Sequence, residues 1–86
     1  MSRQKMTKIN QRISEIRKIA NFTQGELYYR AFGEDNSRRW SRFENGQEPK
    51  ASEIPLIARA LRVRIEDLFC HELSPDLIAR LKRMKK

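Results

Sequence analysis

Residues 23–46 constrain the fold of this chain more than any other segment, because they predict two short helices separated by a polar turn. Thr23 and Glu26 have the spacing of a capping box, in which each side chain accepts a hydrogen bond from the other residue's backbone N–H. A helix that begins there continues to about Phe32. Gly33 then opens the turn, since glycine adopts a positive φ without steric cost.

The second helix of this segment, residues 37–45, has an apolar side and a basic side. Trp40 and Phe43 are three residues apart and therefore share one side, which can bury against a preceding helix. The other side carries Arg38, Ser41 and Arg42, with Ser37 beside them. A helix held by its aromatic side, with arginines facing solvent, is suited to reading a DNA groove.

The other segments predict further helices, because apolar residues recur every three or four positions. The predicted stripes are Ile9, Ile13, Ile16 and Ala20; Leu27 and Ala31, with Tyr28 or Phe32; Ile54, Ile57, Ala58 and Leu61; Val63, Ile65, Leu68 and Phe69; and Leu77, Ile78, Leu81 and Met84. The predicted N-caps are Thr7, Thr23, Asn36 or Ser37, Ser52 and Ser74, and the predicted helix ends are Asn21 and Asn45-Gly46. No segment alternates as a strand does, so the predicted fold class is all-α.

Composition and charge restrict the classes of function that the chain can be expected to have. A chain of 86 residues forms one small domain, and its net charge of +8 favours a polyanionic partner. Cys70 is the only cysteine and His71 the only histidine, and neither belongs to a recognisable nucleophile or metal arrangement. We therefore expect no enzyme activity, metal or cofactor. No apolar run approaches the length of a membrane span or forms a signal peptide, so we expect a cytoplasmic, nucleoid-associated protein with no membrane partner.

Three motifs in order resemble the lambda-repressor-like helix-turn-helix family, the Cro/cI or XRE type of regulator. They are TQGEL at 23–27, SRFENG at 41–46 and IARALRVRIEDLF at 57–69, with Arg17 and Pro49 also matching. The resemblance implies a five-helix DNA-binding domain over residues 7–70. Residues 71–86 then add a basic amphipathic helix at the C-terminus. The sequence departs from the family at Tyr28, in the longer acidic turn 34–36, and at Arg62, where a helix-ending glycine is common.

The resemblance also implies a function and the residues that perform it. The third helix would enter the major groove of double-stranded DNA, with the protein acting as a sequence-specific repressor and binding an inverted repeat as a homodimer. The implied base contacts are Ser37, Arg38, Ser41 and Arg42. The implied backbone contacts are Gln24, Asn36, Arg39, Asn45, Gln47 and Lys50. Arg17 and Glu44 correspond to an ion pair between the first and third helices.

Each of these interpretations has an alternative. Arginines on an isolated helix more often form a solvated surface, and only the surrounding motifs favour DNA contact. Trp40 could stack on nucleobases, although its spacing from Phe43 favours the core. The last helix could pack on its own domain or form a dimer. An antitoxin or adaptor that binds DNA and a protein partner through that helix is the alternative function, and nucleoid-type binding of low specificity is a third.

Overall fold

The computed structural model describes residues 8–70 and 72–84, and this part of the chain contains six helices and no strand. The prediction of an all-α protein is confirmed. The helices are α1 (Lys8–Ala20), α2 (Gln24–Phe32), α3 (Ser37–Glu44), α4 (Ile54–Leu61), α5 (Ile65–Phe69) and α6 (Pro75–Arg83). The predicted cap Thr7 and His71 lie outside the described residues. No helix in the described ranges is both long and apolar enough to cross a membrane.

One apolar core joins all six helices. The predicted stripe of α1 is buried along its whole length, and Asn21 ends the helix with a φ of 63° as predicted. The other core side chains come from every later helix, and the largest that are fully buried are Leu27, Trp40, Ile57, Leu61, Leu68 and Leu81. Because α1 contacts α3, α5 and α6, it is the central element of the domain.

The segment between α1 and α3 folds as its sequence predicts. Glu26 N–H donates to Thr23 Oγ1 at 3.1 Å, and Thr23 N–H donates to Glu26 Oε1 at 2.8 Å, which completes the capping box. Gly33 takes a φ of 79° and ends α2, with its N–H donating to the carbonyl of Tyr29 at 2.8 Å. Asn36, rather than Ser37, caps α3, since its Oδ1 accepts the Arg39 N–H at 3.3 Å.

The start of α4 differs from the prediction, because Ser52 does not cap it. The N-cap is Glu53, whose side chain makes no capping hydrogen bond to α4. Its carboxylate instead accepts the backbone N–H of Lys50 at 2.8 Å, and its own N–H donates to the Lys50 carbonyl at 2.8 Å. Residues 51–53 therefore form a turn that places Ser52 outside the helix and exposed.

The predicted burial of α5 is wrong for two of its residues. Leu68 is buried, but Ile65 and Phe69 are 44% and 54% exposed. Ile65 and Phe69 are four residues apart and form one row along the helix, which lies beside Leu68 and faces solvent. Arg12 of α1 holds the end of α5 by donating to the carbonyls of Asp67 and Cys70, each at 2.9 Å.

The last helix packs on its own domain. Ser74 caps α6 as predicted, and Leu77 and Leu81 are buried in the shared core together with Leu73. The main contact of α6 is with α1. The apolar side of this helix is thus occupied within the monomer, while Arg80, Lys82 and Arg83 remain exposed.

We expect Arg62→Gly to raise the free energy of unfolding by about 0.5–1 kcal/mol, because Arg62 adopts a left-handed conformation at the end of α4. Its φ of 61° strains any side chain that carries a Cβ. Urea denaturation would measure the change. Arg59→Gly is the matched control, since it removes the same exposed side chain from the interior of α4 and should lower stability by about 1 kcal/mol. Equal changes in the free energy of unfolding for the two substitutions would contradict the claim that the backbone at Arg62 is strained.

Candidate nucleic-acid interface

The apolar side of α3 is fixed in the core by aromatic contacts. Trp40 is fully buried and Phe43 is 3% exposed, and their rings meet edge to face with centroids 5.9 Å apart. Phe43 also meets Phe32 of α2 at 6.2 Å, and Phe32 meets Tyr28 at 4.6 Å. The prediction that Trp40 belongs to the core is confirmed, and of the two adjacent tyrosines Tyr28 is buried while Tyr29 is exposed.

Glu44 is a buried carboxylate that ties α3 to both preceding helices. Arg17 donates to it through Nε at 2.6 Å and a terminal nitrogen at 3.1 Å, which confirms the predicted ion pair. Gln24 Nε2 donates at 3.0 Å and Trp40 Nε1 at 2.8 Å. These four hydrogen bonds satisfy a charge that is only 5% exposed. The rotation of α3 about its own axis is therefore fixed by polar as well as apolar contacts.

Asn10 is a second polar anchor, and the sequence interpretation missed it. It is fully buried in α1, and its Nδ2 donates to the carbonyls of Phe43 at 2.6 Å and Gln47 at 3.1 Å. The sequence did contain a signal. Asn10 precedes Arg17 by seven residues, or about two helical turns, so both lie on the side of α1 that faces α3.

The opposite side of α3 presents basic and hydroxyl side chains to solvent. Arg38, Arg39, Arg42 and Ser37 are exposed, and Ser41 and Asn36 are half-buried. Within the described residues, none of these three guanidinium groups forms an ion pair or a side-chain hydrogen bond. Three arginines without a carboxylate partner on one short helix leave a local excess of positive charge.

Four of the predicted contact residues meet in one shallow surface depression. Ser41, Arg42, Asn45 and Gln47 line a hollow of about 320 Å³ at the end of α3. Asn45 Nδ2 donates to the carbonyl of Ser41 at 2.7 Å and to its Oγ at 3.0 Å, so the side chain of Asn45 is folded back on the helix. Residues from the helix and from the following loop thus form one continuous surface.

The other predicted contact residues do not all line this hollow. Gln24 is half-buried, and its amide nitrogen is engaged with Glu44, so this side chain supports α3 from inside. Lys50 is exposed beyond the loop, and its backbone N–H is held by Glu53. Glu34 and Asp35 are exposed immediately before α3. Exposed carboxylates therefore flank α3 on both sides, Glu34 and Asp35 before it and Glu48 after it, while its own first turn has no acidic residue.

Among residues 8–70 and 72–84, no three His, Cys, Asp or Glu side chains lie close enough to hold a metal ion. Cys70 is half-buried, and its Sγ contacts a guanidinium nitrogen of Arg12 at 3.0 Å. That contact joins α1 to the end of α5.

Comparison with models of protein families, with curated proteins and with solved structures found no match to this chain.

Proposed function

We propose that this protein binds double-stranded DNA through the exposed side of α3, as a sequence-specific repressor of the lambda-repressor-like helix-turn-helix type. One observation carries the proposal. The inward side of α3 is immobilised by Trp40, Phe43 and Glu44, whereas its outward arginines have no partner within the described residues. A rigid helix with unpaired guanidinium groups has what major-groove recognition requires.

The chemistry of the side chains indicates what they would read. A guanidinium group offers two parallel donors that match O6 and N7 of guanine, and each good pair discriminates by about 1–3 kcal/mol. Hydroxyl groups at Ser37 and Ser41 can donate or accept, so they fit several base edges. The contacts of Asn36, Arg39, Gln47 and Lys50 with phosphates would fix the register without reading sequence.

The acidic turn shifts the expected centre of contact along α3. Glu34 and Asp35 would repel phosphates at the start of the helix. Arg42, Ser41, Asn45 and Gln47 form a hollow at the far end, where no exposed carboxylate belongs to the lining. We therefore assign Arg42 a larger share of the recognition than Arg38.

A homodimer on an inverted repeat completes the proposal, because one short helix reads too few bases for useful specificity. The family resemblance suggests a contact between subunits near α4 and α5, and the exposed apolar side of α5, formed by Ile65 and Phe69, is the surface we assign to it. Apolar side chains of this size are costly to leave in water, and burying them in a symmetric interface recovers that free energy.

We expect Phe69→Asp to convert a dimer into a monomer, because it places a carboxylate at the centre of that apolar side. Sedimentation equilibrium would measure the mass, and Tyr29→Asp is the control, since Tyr29 lies on α2 and is 63% exposed. A wild-type protein that stays monomeric even on a duplex with two half-sites would exclude this interface.

The alternative function, an antitoxin or adaptor that binds a protein partner through its last helix, has less support. Leu77 and Leu81, the residues such a partner would cover, are buried against α1. A partner would have to displace α6 from the core or use its charged side instead.

Binding to selected and random duplexes tests the proposal. DNA recovered from a random pool should bind at least about a thousandfold more tightly than unrelated duplex of the same length at the same salt concentration. Fluorescence anisotropy with labelled duplexes measures the dissociation constants for the selected and the unrelated duplex. Equal affinity for both would indicate nucleoid-type binding without sequence recognition, and no affinity for either would reject DNA as the partner.

A further inference from the structure

One buried amide bridges the two sides of the chain reversal that ends α3. Asn10 Nδ2 donates to the carbonyl of Phe43, inside the helix, and to the carbonyl of Gln47, after the turn. Gly46 lies between them with a φ of 115°, and Gln47 N–H returns to the carbonyl of Arg42 at 2.9 Å. The loop 45–47 is therefore held against α3 by two contacts, the side chain of Asn10 from the core and the backbone hydrogen bond from Gln47 to Arg42.

The chemistry at this position requires a short side chain with two N–H donors. The last carbonyls of a helix have no intrahelical partner and must find a donor elsewhere. A carboxylate at position 10 would accept rather than donate, and a hydroxyl carries a single donor hydrogen. Asparagine supplies both hydrogen bonds from one nitrogen within a fully buried site.

The clamped loop is part of the surface proposed to contact DNA. Gln47 and Asn45 line the same hollow as Arg42 and Ser41. We propose that Asn10 is a positioning residue for recognition, which sets the geometry of loop 45–47 relative to Arg42 although it touches no DNA itself. This inference rests on the proposed function. It goes beyond it by assigning part of the recognition to a buried residue of the first helix.

Asn10 and Arg17 have different tasks on the same side of α1. Arg17 fixes the rotation of α3 through Glu44, whereas Asn10 fixes the path of the chain after the helix ends. Loss of Asn10 should therefore leave α3 helical and loosen only its last turn and the loop.

The test compares Asn10→Ala with Leu81→Ala, a control that opens a cavity in the core between α6 and α1. Amide hydrogen exchange should accelerate roughly tenfold or more at residues 43–47 in Asn10→Ala and not in the control. At a temperature where both variants are folded, Asn10→Ala should bind the selected duplex about tenfold more weakly than wild type, while Leu81→Ala binds as wild type does.

Unchanged exchange at residues 43–47, or a DNA affinity that falls equally in both variants, would overturn the inference. Should Asn10→Ala not fold, Asn10→Ser retains a polar group with one donor hydrogen, and the same two measurements decide on it. The exchange experiment needs no DNA. A wild-type protein that binds no duplex would therefore reject the proposed function. Hydrogen exchange would still test whether Asn10 holds residues 43–47 in place.

Discussion

Glu44→Ala should lower the free energy of unfolding by about 3–5 kcal/mol, because it leaves the Arg17 guanidinium, whose side chain is only 17% exposed, without its carboxylate. Two further donors, Gln24 Nε2 and Trp40 Nε1, lose their acceptor in the same substitution. The Trp40 donor is fully buried, so water cannot replace the lost hydrogen bond without opening the core. Chemical denaturation monitored by circular dichroism measures the loss.

Glu48→Ala is the matched control for this prediction, since it removes an exposed glutamate four residues further along the chain. It should change stability by less than about 0.5 kcal/mol. The double variant Arg17→Met/Glu44→Leu should recover only the part of the loss that comes from the unpaired Arg17 charge, because Gln24 and Trp40 still lack their acceptor. A Glu44→Ala protein as stable as the Glu48→Ala protein would mean that the ion pair contributes nothing.

Arg42→Ala should weaken binding to the selected duplex and abolish discrimination at one base pair. The loss for the preferred guanine is expected to be about 1–3 kcal/mol, with a smaller effect on duplexes that lack it. Arg38→Ala should have a smaller effect, since the exposed carboxylates of Glu34 and Asp35 lie at that end of α3. A panel of duplexes with single base-pair changes measures all of these values.

Arg59→Ala on α4 is the control, because it removes the same charge from an exposed position outside the proposed surface. It should reduce affinity only slightly and for every duplex alike. A uniform loss across the panel in Arg42→Ala would make Arg42 a phosphate contact and not a base contact.

Much of this fold follows from local sequence signals. The capping box at Thr23, the positive φ of Gly33 and the aromatic spacing of Trp40 and Phe43 gave correct helix limits and a correct inward side for α3. These signals act within four residues, so the sequence alone contains them. The Arg17–Glu44 pair came from the family resemblance and agrees with the structure.

What the sequence did not indicate depends on contacts between distant segments. The spacing to Arg17 places Asn10 on the side of α1 that faces α3, but its acceptor, the carbonyl of Phe43, is 33 residues away and no local pattern identifies it. Ile65 and Phe69 have the composition of a core stripe, but which side of a five-residue helix faces inward is decided by α1 and α4. Ser52 has the chemistry of an N-cap, yet the Glu53–Lys50 turn takes its place.

Mapping amide chemical shifts during titration with the selected duplex tests the central claim most directly. The account predicts that the largest changes fall on residues 37–47, with smaller ones at the start of α2, and that α6 changes little. Large changes confined to α5 and α6, with the amides of α3 unmoved, would contradict it.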